Sequence, residues 1–463
     1  MKTTGPLLSF RSWLLAIATF AIIQATASTN HHVLLITIDG GAAFYLRDPG
    51  SPLPTLRKLA AEGAAADGMR VANPSITWPN HSTLVTGVYP EKHSVLFNGV
   101  LVRPGPGLGV RVDGRRDKAD LVAVPTLFDL LFQKGYRTAG INWPCTRNSG
   151  TLHDDFPDTP ESLTYTTPAL RDELVAAGIL SNASNATFNA QSAASRDQVW
   201  AAAATHVIRT RRPNFMMYHM LVTDGLQHRY GPRTPAAYAA LGMADSQIRD
   251  VLTALDQSGI RDRTTLFIVA DHGFETSTNI IHPNVLLRKA GLLTTNLIST
   301  NPPTFRARAQ IVSEGGTALV YFTNPETKQE DRERALKLFR ETDGIAEIIE
   351  SSKFTDLGLP DPAKNSQMAD LILVPKPGHG FSNLAVGEEH ITAVTLNSGG
   401  LGNHGYLSSN TNMNALFVVS GRGIKRGSKL GIVDNRDVAP TIAHLLGQTL
   451  PGADGKVLKE ILE

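Results

Sequence analysis

VLLITIDGG, residues 33–41, is an apolar run that ends on an aspartate and two glycines. Similar short runs recur at residues 137–142, 215–222, 266–270, 371–374 and 415–420, with helical stretches between them. Strands that are apolar on both faces and alternate with helices are typical of a parallel sheet covered on both sides. The sequence therefore predicts an α/β fold with a mostly parallel central sheet and helices on both of its faces.

The alternation is interrupted between residues 283 and 368. A strand-like run at residues 317–322 precedes a highly charged helical segment, Lys328–Glu341, and a second strand-like run, Ile345–Glu350. The charged run KQEDRER within this helix is typical of a solvated helix face. We expect residues 283–368 to form a small α+β subdomain inserted into the main sheet.

Residues 1–27 have the pattern of a signal peptide. Two basic residues flank its start, residues 13–23 are apolar, and the ATA sequence at residues 25–27 fits a small-residue cleavage site. The alternative is a membrane anchor, but the apolar stretch is much shorter than the roughly 20 residues that span a bilayer. We expect a mature catalytic chain of residues 28–463, secreted or periplasmic, with no stable membrane span after cleavage.

The net charge argues against nucleic-acid binding, and the cysteine content argues against disulfide bonds and a thiol nucleophile. The formal net charge of +2 would be lost with Lys2 and Arg11 of the leader, so binding to nucleic-acid duplexes is not expected. Cys145 is the only cysteine, so no internal disulfide can form. Because no histidine lies close to it in sequence, we interpret Cys145 as structural rather than nucleophilic.

Several apolar runs lead into aspartate and histidine residues. In open α/β sheets, ligands bind at the carboxyl ends of the strands, where these side chains would meet. Taken singly, each has an ordinary role, because an aspartate at a strand end can cap a helix and a lone histidine is usually a hydrogen-bonded polar residue. The candidates are Asp39, Asp224, His228, Asp271, His272 and His404.

The combination of three aspartates and three histidines indicates zinc. Zn2+ accepts both imidazole nitrogen and carboxylate oxygen. Six ligands are too many for one tetrahedral ion but suit two ions with three protein ligands each. An open position on each ion then remains for the nucleophile and a substrate oxygen, so we expect two zinc ions per chain.

The candidate nucleophile is Thr77, within the segment NPSITWPNHSTLV at residues 73–85. Pro79 favours the first turn of a helix, which places Thr77 where free backbone N–H groups and the helix dipole attract an anionic phosphate. The alternative role for Thr77 is a simple N-cap. A hydroxyl bound to a metal ion can ionise near neutral pH and attack phosphorus.

The chain resembles the alkaline phosphatase superfamily and, within it, the type I phosphodiesterase/nucleotide pyrophosphatase family. The matching segments are TIDGG at 37–41, TWPNHSTLVTGVYPEKHSV at 77–95, DGLQHRYGP at 224–232, ADHG at 270–273 and NHGY at 403–406. They follow the family's order across nearly the whole predicted mature chain. The resemblance implies an alkaline phosphatase-like fold.

The resemblance also implies a role for each candidate residue. One zinc ion would have three ligands: Asp224, His228 and His404. The other would have Asp39, Asp271 and His272, with Thr77 at its open position. Asn98 lies where the family has an asparagine that binds a phosphoryl oxygen, although Asn98-Gly99 is also a common turn sequence.

These residues predict a two-zinc hydrolase of phosphate esters that acts through a covalent phospho-threonine. The resemblance favours a phosphodiesterase or nucleotide pyrophosphatase whose substrate is a small phosphate diester or a nucleotide. A phosphate monoesterase using the same site is the alternative. A sulfatase-like or phosphopentomutase-like relative and a non-catalytic metal- or phosphate-binding protein are less favoured. The segment that follows Thr77 lacks the arginine of the sulfatase C/S-x-P-x-R motif, which argues against a sulfatase. None of the six candidate ligands is missing, which argues against a non-catalytic protein.

Three further residues concern the substrate pocket. Trp78 could stack on a nucleobase or aryl group, or could equally well pack in the core. Trp143 belongs to an apolar segment, residues 142–146, that could hold the second ester group of a diester. Arg147 follows this segment and could meet the additional charge of a monoester, but we expect an arginine of a surface loop to be exposed to solvent.

Overall fold

An eight-stranded sheet lies at the centre of the computed structural model, which describes Met1, residues 30–299 and residues 302–463. Across the sheet the strands are Ser428–Asp434, Ala64–Arg70, Phe417–Gly421, Thr264–Val269, His32–Ile38, Phe215–Met220, Thr138–Pro144 and Asp154–Asp158. Within this sheet, only Phe417–Gly421 runs antiparallel to its neighbours. The predicted mostly parallel sheet is confirmed.

Helices cover the two faces of the sheet, which explains why its central strands are mostly apolar and buried along their whole length. All residues of His32–Ile38, Phe215–Met220 and Thr264–Val269 are buried. One group of mutually contacting helices comprises Pro54–Glu62, Ala193–Arg211, Val222–Tyr230 and Pro235–Gln257, and another comprises Thr77–Thr86, Leu127–Gln133 and Val438–Leu445. Shorter helices are Phe44–Arg47, Pro90–His93, Lys118–Leu121, Ser162–Tyr165, Pro168–Ala176 and Asn185–Asn189.

A second, four-stranded antiparallel sheet has its own hydrophobic cluster. Its order is Ala309–Ser313, Ala318–Phe322, Leu371–Pro375 and Ile345–Glu350, and the helices Pro283–Lys289 and Lys328–Glu341 accompany it. The prediction that residues 371–374 belong to the main sheet is therefore wrong, because this strand pairs with Ala318–Phe322 instead. The inserted subdomain of residues 283–368 stays a proposal, and this pairing would extend it to residue 375.

Four small sheets of two or three strands complete the architecture of the described residues. Their pairs are Val100–Val102 with Arg111–Asp113, Glu275–Thr276 with Gly402–Asn403, Leu293–Ile298 with Thr304–Ala307, and Asn279–Ile281 with both His379–Phe381 and Ile391–Ala393. The predicted leader, residues 1–27, lies outside the described residues apart from Met1. Among the helices of the described residues, none combines the length and apolar character needed to cross a bilayer.

Asp155, in the outer strand Asp154–Asp158, is a buried carboxyl group that contacts a hydroxyl. Burial raises its pKa to about 8. The Thr146 hydroxyl lies 3.0 Å from both the Trp143 carbonyl oxygen and Oδ1 of Asp155. Since this hydroxyl can donate only once, a protonated Asp155 that donates to Thr146 satisfies all three groups.

We therefore predict that Asp155 makes the free energy of unfolding depend on pH. Because its pKa is higher in the folded than in the unfolded chain, its stabilising contribution is complete below about pH 4 and is lost as pH rises to about 8. The slope would be up to about 1.4 kcal/mol per pH unit. Urea unfolding between these pH values should show a free energy of unfolding that falls less with rising pH in Asp155→Asn than in the exposed control Asp67→Asn. Parallel curves for the two variants would contradict this assignment.

Candidate metal centre

The six predicted ligands meet at one end of three adjacent central strands. Asp39 follows His32–Ile38, Asp271 and His272 follow Thr264–Val269, and the helix Val222–Tyr230, which carries Asp224 and His228, follows Phe215–Met220. His404 comes from a loop that follows the short strand Gly402–Asn403. The convergence expected at the carboxyl ends of the strands is present in the structure.

Glycines next to the ligands allow the chain to turn closely at this point. Gly40 has φ of +65°, and a Cβ there would lie 2.5 Å from the Phe274 ring. A Cβ on Gly273 would lie 1.9 Å from the carbonyl oxygen of Asn412. The D-G and D-H-G sequences therefore reflect steric limits at the site as well as chemistry.

Asp39, Asp271 and His272 form a fully buried trio. Nε2 of His272 lies 3.3 Å from Oδ1 of Asp39 and 3.4 Å from Oδ2 of Asp271. The other oxygen of Asp271 accepts hydrogen bonds from the backbone N–H groups of Gly40 and His272. These bonds orient the carboxylate so that Oδ2 faces the histidine.

Asp224, His228 and His404 form a second trio beside the first. Oδ1 of Asp224 lies 3.3 Å from Nε2 of His228 and 3.4 Å from Nε2 of His404. The rings of His404 and His272 stack with their centroids 3.7 Å apart, which joins the two trios. Ligand atoms of Asp224, His272 and His404 also lie within 4.8 Å of one another, so His272 borders both trios.

The hydrogen bonds of the three histidines define which nitrogen faces the carboxylates. Nδ1 of each ring contacts a backbone carbonyl at 3.0 or 3.1 Å, with His228 bound to Gly402, His272 to Gly273 and His404 to Ser75. A carbonyl can only accept, so Nδ1 carries the proton in all three rings. In the neutral rings, Nε2 is consequently a lone-pair acceptor that faces carboxylate oxygens, which are acceptors too.

Acceptors that face acceptors in a buried site require a positive charge between them, either a metal ion or protons. Oδ1 of Asp39, Oδ1 of Asp224, Oδ2 of Asp271 and Nε2 of His272 are buried and make no hydrogen bond. Orphaned buried atoms are rare in proteins because each loses its hydration without compensation. These donor atoms, oriented by backbone bonds to their other ends, fit the coordination chemistry of zinc.

The electrostatics of the site favour a bound positive charge. Burial lowers the pKa of His272, but the charges of Asp271 and Asp39 outweigh it and raise this pKa to about 10. Burial and the charge of Asp39 raise the pKa of Asp271 to about 8. In the absence of metal, protons therefore take up the positive charge that the three groups attract.

Thr77 begins the helix Thr77–Thr86, whose N-cap is Ile76 and which has no side-chain capping bond. The structure thus gives no support to the alternative that Thr77 is an N-cap. Nδ1 of His404 and the N–H of Gly405 both donate to the carbonyl of Ser75, two residues before Thr77. These bonds hold the start of this helix against the second trio.

The position of Trp78 at the helix start predicted that its backbone N–H would be free to bind phosphate. In the structure this N–H is already hydrogen-bonded. It donates to Oδ1 of Asn98 at 2.9 Å. Asn98 is exposed, and its amide NH2 group remains as a donor. The NH2 group of Asn98 therefore takes the place of the Trp78 N–H as a hydrogen-bond donor at the helix start.

The two tryptophans predicted to line the substrate pocket are buried. Trp78 is 6% exposed, packs with Val95 and Cys145, and donates its indole N–H to Asp158 at 3.0 Å, so the core alternative is the one that the structure supports. Trp143 is 0% exposed and lies edge-on to the His81 ring, so the expectation that it contacts an ester group is wrong. Its side chain packs against His81 of the helix Thr77–Thr86.

Arg147 is also not where the sequence predicted it. Its side chain is only 14% exposed, because it forms ion pairs of 2.7 Å with Asp117 and 2.9 Å with Glu161 and lies over the ring of Tyr165. The expected solvent exposure is wrong, and its charge is already met by two carboxylates. Cys145 is buried, and burial raises the pKa of its thiol to about 12, which agrees with a structural role.

Two fully buried histidines join the site although sequence reasoning did not identify them. Nε2 of His219 lies 3.3 Å from Oδ2 of Asp39, and Nδ1 of His81 lies 3.7 Å from Oδ2 of Asp271. His219 occupies an apolar strand, where a lone histidine carries no sequence signal. His81 stands four residues after Thr77 on the same helix face, and that spacing was its available signal.

Solved structures show the same fold. Human ectonucleotide pyrophosphatase/phosphodiesterase 5 superposes with a TM-score of 0.68 at 16% identity and covers 93% of this chain and all of that one. The murine protein, as an inactive variant in complex with AMP, gives the same TM-score over 94% of this chain and 100% of its own. The chain therefore has an alkaline phosphatase-like fold, and its buried donor cluster is a candidate metal centre.

Residues 33–407 match the family profile described as type I phosphodiesterase/nucleotide pyrophosphatase, and the chain belongs to that family. Venom phosphodiesterase 2 of Crotalus adamanteus is 25% identical over 250 residues, which are 52% of this chain and 27% of that protein. Ectonucleotide pyrophosphatase/phosphodiesterase family member 3 of Bos taurus is 22% identical over 419 residues, 89% of this chain and 42% of that protein. The chain thus spans less than half the length of these curated relatives.

Proposed function

We propose that the protein is a two-zinc hydrolase of phosphate esters of the phosphodiesterase/nucleotide pyrophosphatase type. The observation that carries the proposal is the set of buried acceptor atoms on Asp39, Asp224, Asp271 and His272 that face one another without a hydrogen bond. Such an arrangement is stable with metal cations between the acceptors, and two metal sites next to a helix start are suited to phosphoryl transfer. Family membership favours the same class of reaction.

The proposed ligands are divided between two ions. Asp224, His228 and His404 would hold one, and Asp39, Asp271 and His272 would hold the other, next to Thr77. When bound, the two ions would supply positive charge that lowers the pKa of the Thr77 hydroxyl and offsets the charge of the phosphate. The position of His272 between the trios allows it to influence both ions.

The proposed reaction proceeds through a phospho-threonine in two displacements. Oγ1 of Thr77 releases its proton to solvent and bonds to phosphorus while the bond from phosphorus to the leaving oxygen breaks, and the leaving alcohol takes a proton from solvent. A water molecule then bonds to phosphorus, the bond to Thr77 breaks, and Thr77 regains a proton. The amide NH2 of Asn98 would donate to a non-bridging phosphoryl oxygen in both steps.

The proposed substrates are small phosphate diesters or nucleotides, and the second candidate function is a phosphate monoesterase. A monoester dianion carries more charge than a diester and calls for an additional cation near the phosphate. Arg147 was the candidate for that role, and it is occupied by Asp117 and Glu161. This favours the diesterase. Export to the periplasm or the exterior is part of the proposal, and a mature amino terminus near Ser28 would test it.

A substrate panel tests the proposal. With zinc supplied, we expect a higher kcat/KM for an aryl phosphate diester or a dinucleotide pyrophosphate than for a phosphate monoester, and a phospholipid head-group diester belongs in the same panel. Arg147→Ala should leave diester hydrolysis within about threefold of wild type, because its charge is already paired. A preference for monoesters that disappears in this variant would favour the monoesterase. No hydrolysis of any ester would refute the proposed function.

A further inference from the structure

A chain of buried polar groups runs beneath the candidate metal centre from Asp39 to the backbone of Thr77. It consists of His219, Thr37 and His81, all of which are 0% exposed. Thr37 and His219 are direct neighbours in the register of adjacent parallel strands. Asp39 follows Thr37 by two residues and therefore lies on the same side of its strand.

The carbonyl oxygen of Thr77, which can only accept, sets the direction of the hydrogen bonds between these buried groups. Nδ1 of His81 lies 2.8 Å from the carbonyl oxygen of Thr77, so Nδ1 donates and Nε2 accepts. The Thr37 hydroxyl, 2.9 Å from that Nε2, donates to it. The oxygen of Thr37 can then accept from Nδ1 of His219, also at 2.9 Å, and because Nε2 of His219 faces a carboxylate, both nitrogens of this ring carry protons.

The far end of the chain is the carboxylate of Asp39. Nε2 of His219 lies 3.3 Å from Oδ2 of Asp39, and a carboxylate oxygen can only accept. The contact is an ion-pair contact, since Nε2 of His219, like Oδ1 of Asp39 and Nε2 of His272, is buried and makes no hydrogen bond. His219 thus faces Oδ2 of Asp39, while Oδ1 lies 3.3 Å from Nε2 of His272.

We propose that His219 and His81 are positioning residues, joined by Thr37, which orient the metal ligand Asp39 and the nucleophile Thr77 as one unit. The inference rests on the proposed function, since it assigns the orientation of residues in that site. Partners of this kind orient metal ligands and typically change metal affinity 10- to 100-fold when removed. The edge-on contacts of the His81 ring with the rings of Trp143 and His219, at centroid distances of 4.6 and 4.3 Å, restrict its orientation further.

Zinc affinity, measured by competition with a chromophoric chelator, tests the inference without any substrate. His219→Phe keeps a ring but removes the donor to Asp39, and we expect the weaker-binding zinc ion to lose affinity by about 10- to 100-fold. His219→Gln places an amide NH2 near the position of Nε2 and should restore most of that loss. Recovery by a donor would separate hydrogen bonding from simple packing.

Two further variants keep the test decisive if His219→Phe folds poorly. Thr37→Val is nearly isosteric and leaves only the direct contact of 3.1 Å between Nδ1 of His219 and Nε2 of His81. It should therefore weaken zinc binding, by less than His219→Phe does, and lower kcat more than it changes KM. His93→Gln is the matched control, since His93 is a fully buried histidine whose ring bonds are made to Thr83 and Val95. Its zinc affinity should equal that of the wild type.

The outcomes distinguish this inference from the proposed function. Wild-type zinc affinity in both folded His219→Phe and Thr37→Val would overturn the inference, even if the wild-type protein hydrolyses diesters. An equal loss of affinity in His219→Phe and His219→Gln would also overturn it, because packing alone would then explain the effect. A wild-type protein that hydrolyses no ester, but loses zinc affinity in His219→Phe and recovers it in His219→Gln, would refute the proposed function and support the inference.

Discussion

Thr77→Ala is expected to lower kcat for diester hydrolysis by several orders of magnitude while the zinc content stays at about two ions per chain. The variant removes the proposed nucleophile, but it leaves all six candidate ligands intact. It also leaves the carbonyl of Thr77, to which His81 donates, in place. Steady-state kinetics and elemental analysis of the same preparation would measure both quantities.

Thr77→Ser is the matched control for this prediction. Serine keeps a hydroxyl at the start of the helix, so this variant should retain far more activity than Thr77→Ala. Trapping of a phosphorylated residue 77 by rapid acid quench should succeed in the wild type and fail in Thr77→Ala. A near-normal rate in Thr77→Ala would show that water attacks phosphorus directly and that the covalent step is wrong.

The parts of the fold that the sequence predicted are strands whose residues are mostly apolar. The strands at residues 33–38, 215–220 and 266–269 are buried on both faces, and short, continuous apolar runs are typical of such strands. The strands Ala64–Arg70, Asp154–Asp158 and Ser428–Asp434 were not predicted. They contain glycine or acidic residues and lie toward the edges of the sheet, where apolar burial no longer dictates composition.

The strand Leu371–Pro375 shows a different limit. Its apolar sequence correctly indicated a buried strand, but burial does not identify the sheet that buries it. That depends on pairing with Ala318–Phe322, about 50 residues away, and on the hydrophobic cluster that the two strands share. Local patterns carry little information about such pairing.

Around the site, the sequence predicted well which residues come together. It predicted poorly the direction in which neighbouring side chains point. The candidate ligands follow strand ends in chain order, and parallel strands bring such positions to one edge. Trp78, Trp143 and Arg147 were assigned from adjacency, yet their side chains turn into the core or toward Asp117 and Glu161. His219 was missed because its role depends on register with Thr37, which only the folded sheet reveals.

Asp271→Asn is expected to have the second large effect: loss of one zinc ion and a fall in kcat by several orders of magnitude. The substitution changes almost no volume. Oδ1 of Asp271 accepts from Gly40 and His272, and the amide oxygen of asparagine can replace it in those bonds. The amide NH2 group then occupies the place of Oδ2 and presents hydrogens toward the metal position, where a cation needs a lone pair.

Measuring the Tm of Asp271→Asn with and without zinc provides a second test of this prediction. In the metal-free protein, Asp271 is a buried acid whose pKa burial and Asp39 raise to about 8, so the neutral asparagine should leave the metal-free Tm unchanged or higher. Zinc stabilises the folded state by RT ln(1 + [Zn2+]/Kd), so weaker binding makes the Tm increase on adding zinc much smaller in the variant than in the wild type. Asp245→Asn is the control, because Asp245 is also buried but accepts from the backbone N–H groups of Thr55 and Leu56. It should lower the metal-free Tm and keep the full zinc response. A full zinc response in Asp271→Asn, together with wild-type activity, would exclude Asp271 as a ligand.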